Sequence, residues 1–164
     1  MSTTGSYFAD RAAAQRAVQM ALPMIEPAMR EPGVCGSGFL VIVVMDPALH
    51  PGDCPFDDAV LLEHCIGDRT KWDADYAAFA RGKARLSWQH RTGSAELQSA
   101  RAHALREGES MLWGSVCLDG IVVGVSGAEA WWDEAFATAV AANLRAIAKE
   151  RHAALLKDRQ LWVD

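Results

Sequence analysis

Apolar positions along the chain fall into two rhythms. The run from Gly38 to Met45 is continuous, apolar and β-branched, the pattern of a strand buried on both faces. Asp46-Pro47 ends it, and the segment from Asp46 to Asp58 carries three prolines and a glycine, which makes it a loop. Ala59 to Ile66 reads as a second strand. Two further apolar runs, Met111 to Leu118 and Ile121 to Val125, flank Asp119-Gly120. Asp-Gly between such runs predicts a hairpin, because both central residues of a type I′ turn need positive φ. The other rhythm is helical. Trp132, Phe136, Val140, Leu144 and Ile147 recur every three or four residues and predict a long amphipathic helix after the hairpin. Ser126, followed three residues later by Glu129, has the spacing of a capping box at its start.

Ala14, Val18, Leu22, Ile25 and Met29 keep the same period, but Pro23 and Pro27 fall within it. Each proline removes a donor and crowds the preceding turn. Either one helix is kinked there, or a helix to about Leu22 is followed by a short second one; the second reading is favoured. Trp72 to Arg91 predicts a helix whose stripe is Trp72, Tyr76, Phe79, Ala80, Ala84, Ser87 and Trp88. Gly82 weakens that helix by about 1 kcal/mol relative to Ala. Gly93 breaks it, and Ser94 caps another that runs to about Glu107. Residues 1–6 are small and polar and are expected to be disordered. An exposed Trp at a terminus is unusual, so the tail Leu161-Trp162-Val163 is expected to dock, on the body or on a neighbouring subunit. Grouped strands and helices, with one antiparallel hairpin, point to the α+β class in one domain over 1–164.

With 164 residues and 51% apolar composition, the chain can bury a real core. The net charge of −5 argues against a nucleic-acid partner held by phosphate contacts. No stretch approaches a membrane span of roughly 20 apolar residues, and the N-terminus lacks the pattern of a signal peptide. A cytoplasmic location is expected. The four cysteines, Cys35, Cys54, Cys65 and Cys117, have no C-x-x-C spacing and are expected as free thiols. His64 and Cys65 are adjacent in a strand, so they point to opposite faces, and no metal site is expected.

Candidate chemistry gathers in two places. Ser126 and Gly127 sit at a strand-to-helix turn, where free N–H groups and the helix dipole favour an anion, although Glu129, Asp133 and Glu134 already bring negative charge there. Ser126 is read first as the helix cap. It is not a nucleophile elbow, because Ala128 stands where the second Gly of G-x-S-x-G belongs. The other place is the helix Trp72–Arg91. Lys83, Arg85, His90 and Arg91 give it a basic end, which the dipole alone would favour. Beside aromatic rings such groups also suit a planar anionic ligand.

These motifs resemble the haem-degrading-domain family, which includes GlcG- and HbpS-like proteins, the C-terminal domain of some cobalamin adenosyltransferases and a sister group of uncharacterised proteins. Gly124 to Ala128 with Asp133, and Lys83-Ala84 with Thr92 downstream, carry the resemblance; Lys83-x-Arg85 and Ser94 match the sister group. The chain lacks the family's Gly-Gly-x-Pro stretch before the hairpin and carries a Pro-rich insertion from Pro47 to Pro55. The resemblance implies a two-layer, GlcG-like fold in which helices pack against a single antiparallel sheet of about five strands. It also implies homo-oligomers with ligands near subunit contacts, and haem as a possible cofactor. Haem needs an axial ligand and an apolar slot, and the sequence does not mark which of His50, His64, His90, His103 and His152 would serve. The leading expectation is a small-molecule-binding protein for haem or another planar anionic compound. Lys83, Arg85 and Thr92 would contact acidic groups, Trp88 would stack, and Ser126 and Gly127 would offer donors. An alternative is a catabolic enzyme acting on a small carbonyl or aromatic acid, with Lys83 or His90 as acid/base. Another is a structural oligomer without ligand.

Overall fold

The structure, a computed structural model, describes residues 4–158 and 161–163. Its elements are α1 (Arg11–Ala28), β1 (Leu40–Met45), β2 (Val60–Ile66), α2 (Tyr76–His90), α3 (Ser94–Ala100), β3 (Ser115–Leu118), β4 (Ile121–Ser126) and α4 (Ala130–Lys157). The strands form one sheet in the order β2-β1-β4-β3, and every neighbouring pair is antiparallel. The class is therefore α+β, with four strands rather than about five.

β1 is central and buried along its whole length. Leu40, Ile42 and Val44 point into a core shared with α1 and α4, whereas Val41, Val43 and Met45 point into a second core shared with α2. Helices thus cover both faces of the sheet, which corrects the two-layer expectation. The continuous apolar run of β1 needs that arrangement, since alternation of side chains exposes every second residue unless both faces are covered. Gly124 of β4 shows how close the second layer lies. A Cβ there would stand 2.7 Å from the Ala80 carbonyl oxygen and 2.8 Å from the Ala84 nitrogen and Cβ, so α2 rests its small residues directly on the strand. The hairpin forms as its Asp-Gly pair predicts: Asp119 and Gly120 have φ of 49° and 87°, and Leu118 pairs with Ile121.

α1 is a single helix that contains both prolines, which corrects the favoured break near Leu22. Pro23 and Pro27 are exposed, so water can satisfy the carbonyls they leave free. Ala14, Ala17, Val18, Ala21 and Ile25 stay buried on the opposite side. Packing of that face outweighs the local cost. Asp10 caps the start by accepting from the Ala13 N–H at 2.8 Å. Its carboxylate also receives the Arg151 guanidinium at 2.9 Å, which ties α1 to α4.

Of the segment expected to be disordered, residues 1–3 lie outside the described residues. Ser6 is fixed, its N–H donating to the Asp46 carboxylate at 3.0 Å. In the tail, Leu161, Trp162 and Val163 lie beside Phe8 and Leu155, yet Trp162 remains 80% exposed. Among the described residues no helix is long and apolar enough to cross a membrane.

Candidate functional site

α2 is started by Asp75, whose carboxylate accepts from the Ala78 N–H at 2.9 Å. From that fixed start, Tyr76, Phe79 and Lys83 follow at helical spacing along one side. They form one wall of a cavity of about 450 Å³. The loop Met111-Leu112-Trp113 forms a second wall. The turn from Ser126 to Ala130, together with Asp133 and Ser37, forms a third.

A buried ion pair sits in this wall. Lys83 Nζ donates to Asp133 Oδ2 at 2.8 Å and to the Val125 carbonyl at 3.0 Å. The two side chains are 4% and 1% exposed. Asp133 Oδ1 accepts from the Ala128 N–H at 2.9 Å, and the Gly127 N–H is also turned toward the carboxylate. Burial pushes the Asp133 pKa from 3.8 up to about 6, against the opposing pull of the Lys83 charge and of the hydrogen bonds from Lys83, Ala128 and Gly127. Desolvation disfavours the charged form, and here it outweighs the neighbouring cation. Gly114, with φ 137°, seals the pair from above. A Cβ on it would lie 2.7 Å from Asp133 Cβ and 3.1 Å from Lys83 Nζ.

This geometry corrects the capping box. Ser126 is the last residue of β4, and Glu129 takes the N-cap position of α4 without a side-chain hydrogen bond. Asp133, one turn into the helix, reaches back to the turn's free donors instead. A charged acceptor makes a stronger bond there than a hydroxyl would. Ser94 does not cap its helix either; Gly93 holds that position, and α3 ends at Ala100. The buried Ser94 hydroxyl accepts from the N–H groups of Gly114 and Ser115 at 2.9 and 3.0 Å. Ser115 in turn donates its hydroxyl to the Lys83 carbonyl at 2.7 Å. The serines thereby hold the start of β3 against α2, at the level of the ion pair.

A second, smaller hollow of about 260 Å³ lies further along α2, lined by Phe79, Gly82, Arg85, Gln89 and the loop Gly108 to Ser110. Arg85 is exposed there, and its guanidinium stacks over the Phe56 ring at 4.6 Å. His90 Nε2 and Glu109 Oε1 are 2.8 Å apart, with side chains 6% and 10% exposed. Burial works to raise the Glu109 pKa, but the Arg106 N–H and His90 together hold it below the ordinary carboxylate value.

The expected site residues are therefore divided. Lys83, Ser126 and Gly127 line the larger cavity, and Arg85 lines the smaller one. Trp88 is not placed to stack on a ligand. It is 3% exposed, packs edge-on against Phe56 and donates its indole N–H to the Leu49 carbonyl at 2.8 Å. Thr92 is buried just past the end of α2 and lines neither cavity. His90 lies with Glu109, away from Lys83. Sequence reasoning missed Asp133 as the partner of Lys83, and it missed Tyr76 and Met111–Trp113 as walls. The apolar run predicts Met111–Trp113 as the first part of the hairpin, but the strand begins only at Ser115. Gly114, in its positive-φ conformation, separates the two.

No family model matches the sequence, and no curated protein matches it. Solved structures do. The crystal structure of a PduOC–haem complex matches with a TM-score of 0.53 and 17% identity, covering 85% of this chain and 95% of that one. The crystal structure of the Klebsiella pneumoniae protein ORFY, of the family model DUF336, matches with a TM-score of 0.52 and 19% identity, covering 83% and 90%. At these identities the likeness is one of fold. The resemblance read from the motifs is thus met by a resemblance in architecture.

Proposed function

We propose that this chain is a small-molecule-binding protein whose site is the cavity between α2, the Met111–Trp113 loop and the β4–α4 turn. The observation that carries the reading is the composition of that cavity. Aromatic and apolar side chains (Tyr76, Phe79, Leu112, Trp113) face a few convergent polar groups (Ser37, Ser126, Lys83, Asp133) in about 450 Å³. Concave, mostly apolar hollows with a few fixed polar groups are the usual form of ligand sites. The fold shared with a haem-complexed protein is in keeping with a ligand role.

Haem itself does not fit the residues present. None of the five histidines and no cysteine lines the cavity, the Tyr76 hydroxyl donates to Asp73 at 2.6 Å, and Met111, the remaining lining side chain able to ligate iron, sits on the exposed rim. Lys83, the one cation in the wall among the described residues, is neutralised by Asp133, which leaves that wall no free charge for propionates. A second reading, an enzyme acting on a small carbonyl compound, draws on the raised pKa of Asp133 beside Lys83, since perturbed carboxylates gather at catalytic sites.

The direct test is a fragment screen by two-dimensional amide NMR. Binding in the cavity is expected to shift the resonances of Phe79, Trp113 and Ala128 together, and Phe79→Ala is expected to weaken every such hit. Hits that leave those three residues unmoved would place the site elsewhere and overturn the assignment.

A further inference from the structure

Resting on that ligand-binding reading, we propose that the cavity selects an uncharged, flat aromatic ligand with one hydrogen-bonding group, and that Asp133 is the residue that excludes acids. Three observations meet at this point.

The features that would attract an anion are already satisfied from within. Among the described residues Lys83 is the only cation in the lining, and its ammonium is spent on Asp133 Oδ2 at 2.8 Å and on the Val125 carbonyl at 3.0 Å. The donors of the strand-to-helix turn serve the same carboxylate, the Ala128 N–H at 2.9 Å. Asp133 thus stands where a ligand carboxylate would sit, at a helix start that would otherwise bind one. An entering acid would lose its hydration and find no uncompensated charge in return. It would also face the Asp133 carboxylate.

One polar group in the wall remains open. Ser126 is 5% exposed and lines the cavity, and its hydroxyl makes no hydrogen bond to any described residue. A hydroxyl can donate to a carbonyl or accept from an amide, so it suits a neutral polar group. The remaining surface is apolar and flat-sided. Tyr76, Phe79 and Trp113 present rings, while Met111 and Leu112 form an exposed rim. A fused two-ring aromatic can be accommodated within about 450 Å³.

The matched probes are 2-naphthamide and 2-naphthoate, which share shape and differ in charge. Each is titrated at pH 7.5 against the full chain and followed by the amide resonances of Phe79, Trp113 and Ala128. The amide is expected to bind at least about tenfold more tightly than the acid, a difference of about 1.4 kcal/mol. Ser126→Ala is expected to weaken the amide by about two- to tenfold, the worth of one hydrogen bond. Asp133→Asn, which frees the Lys83 charge, is expected to narrow or invert the ratio. If Asp133→Asn does not fold, the wild-type ratio and Ser126→Ala still decide the matter. Binding of naphthoate as tight as that of naphthamide overturns the charge selection and leaves the cavity standing as a ligand site. If neither probe moves the three cavity resonances at millimolar concentration, the site assignment itself falls, and the selection with it.

Discussion

Removing one partner of the Lys83–Asp133 pair should cost far more than removing both. At 2.8 Å the attraction is about 6 kcal/mol for an effective dielectric of ~20. Burial opposes it strongly. Asp133 moves from 3.8 to about 6 despite its cation, and that span corresponds to about 3 kcal/mol against the charged carboxylate. The pair is thus held together by mutual need more than by a net gain. Lys83→Met or Asp133→Asn alone strands one buried charge, and each is expected to cost about 3–5 kcal/mol. The double variant strands none and is expected to lie within about 2 kcal/mol of the wild type. The assay is equilibrium urea unfolding of all four proteins at pH 7.5, with slopes compared so that only changes in midpoint are read as stability. The coupling energy should be at least about 3 kcal/mol. If the double variant loses the sum of the two singles to within about 0.5 kcal/mol, the residues act independently. The description of the site as a closed internal pair would then be wrong.

Three other outcomes follow from the same geometry. Because the folded value of Asp133 lies above its ordinary 3.8, at about 6, its contribution to stability is fully present below about pH 3.8 and is lost as pH rises through 6. The wild type should therefore gain about 1.4 kcal/mol between pH 7.5 and 5 relative to Asp133→Asn; equal pH slopes in the two proteins would contradict this. Gly124→Ala must push Ala80 and Ala84 off β4, and it is expected to cost about 1–3 kcal/mol, read as a lowered melting temperature; an unchanged melt would refute the close approach. Haemin titration should give a non-saturating Soret response, unaltered by a Lys83→Ala, Arg85→Ala double substitution, whereas a stoichiometric response lost in that variant would restore haem as the ligand.

Much of the fold was legible because it rests on patterns the chain itself displays. The eight-residue, β-branched apolar run ending at Met45 has the pattern of a strand covered on both sides, and Asp119-Gly120 between apolar runs has the pattern of a tight hairpin turn. What the pattern hid depended on partners distant in sequence. Pro23 and Pro27 are strong local signals against a helix, yet α1 continues through them because Ala17, Val18, Ala21 and Ile25 already lie against α4 and the sheet. The capping box failed for the same reason. Ser126 and Glu129 have the right spacing, but the carboxylate that satisfies the turn belongs to Asp133, whose position is fixed by a lysine 50 residues earlier.

The site shows where reading a sequence for charge goes astray. Lys83 and Arg85 are two residues apart on a helix, so their side chains diverge by about 200°; one enters the larger cavity and the other lines the neighbouring hollow. Both look equally available in a sequence, and only burial separates them. A lysine that is 4% exposed must bring its counter-ion with it, because an isolated buried ammonium would lose its proton or unfold the site. The anion inferred for the ligand is therefore supplied by the protein, as Asp133. The basic motif and the acidic motif of the chain are two halves of one neutral group. What they leave for a ligand is the apolar wall beside them and the Ser126 hydroxyl.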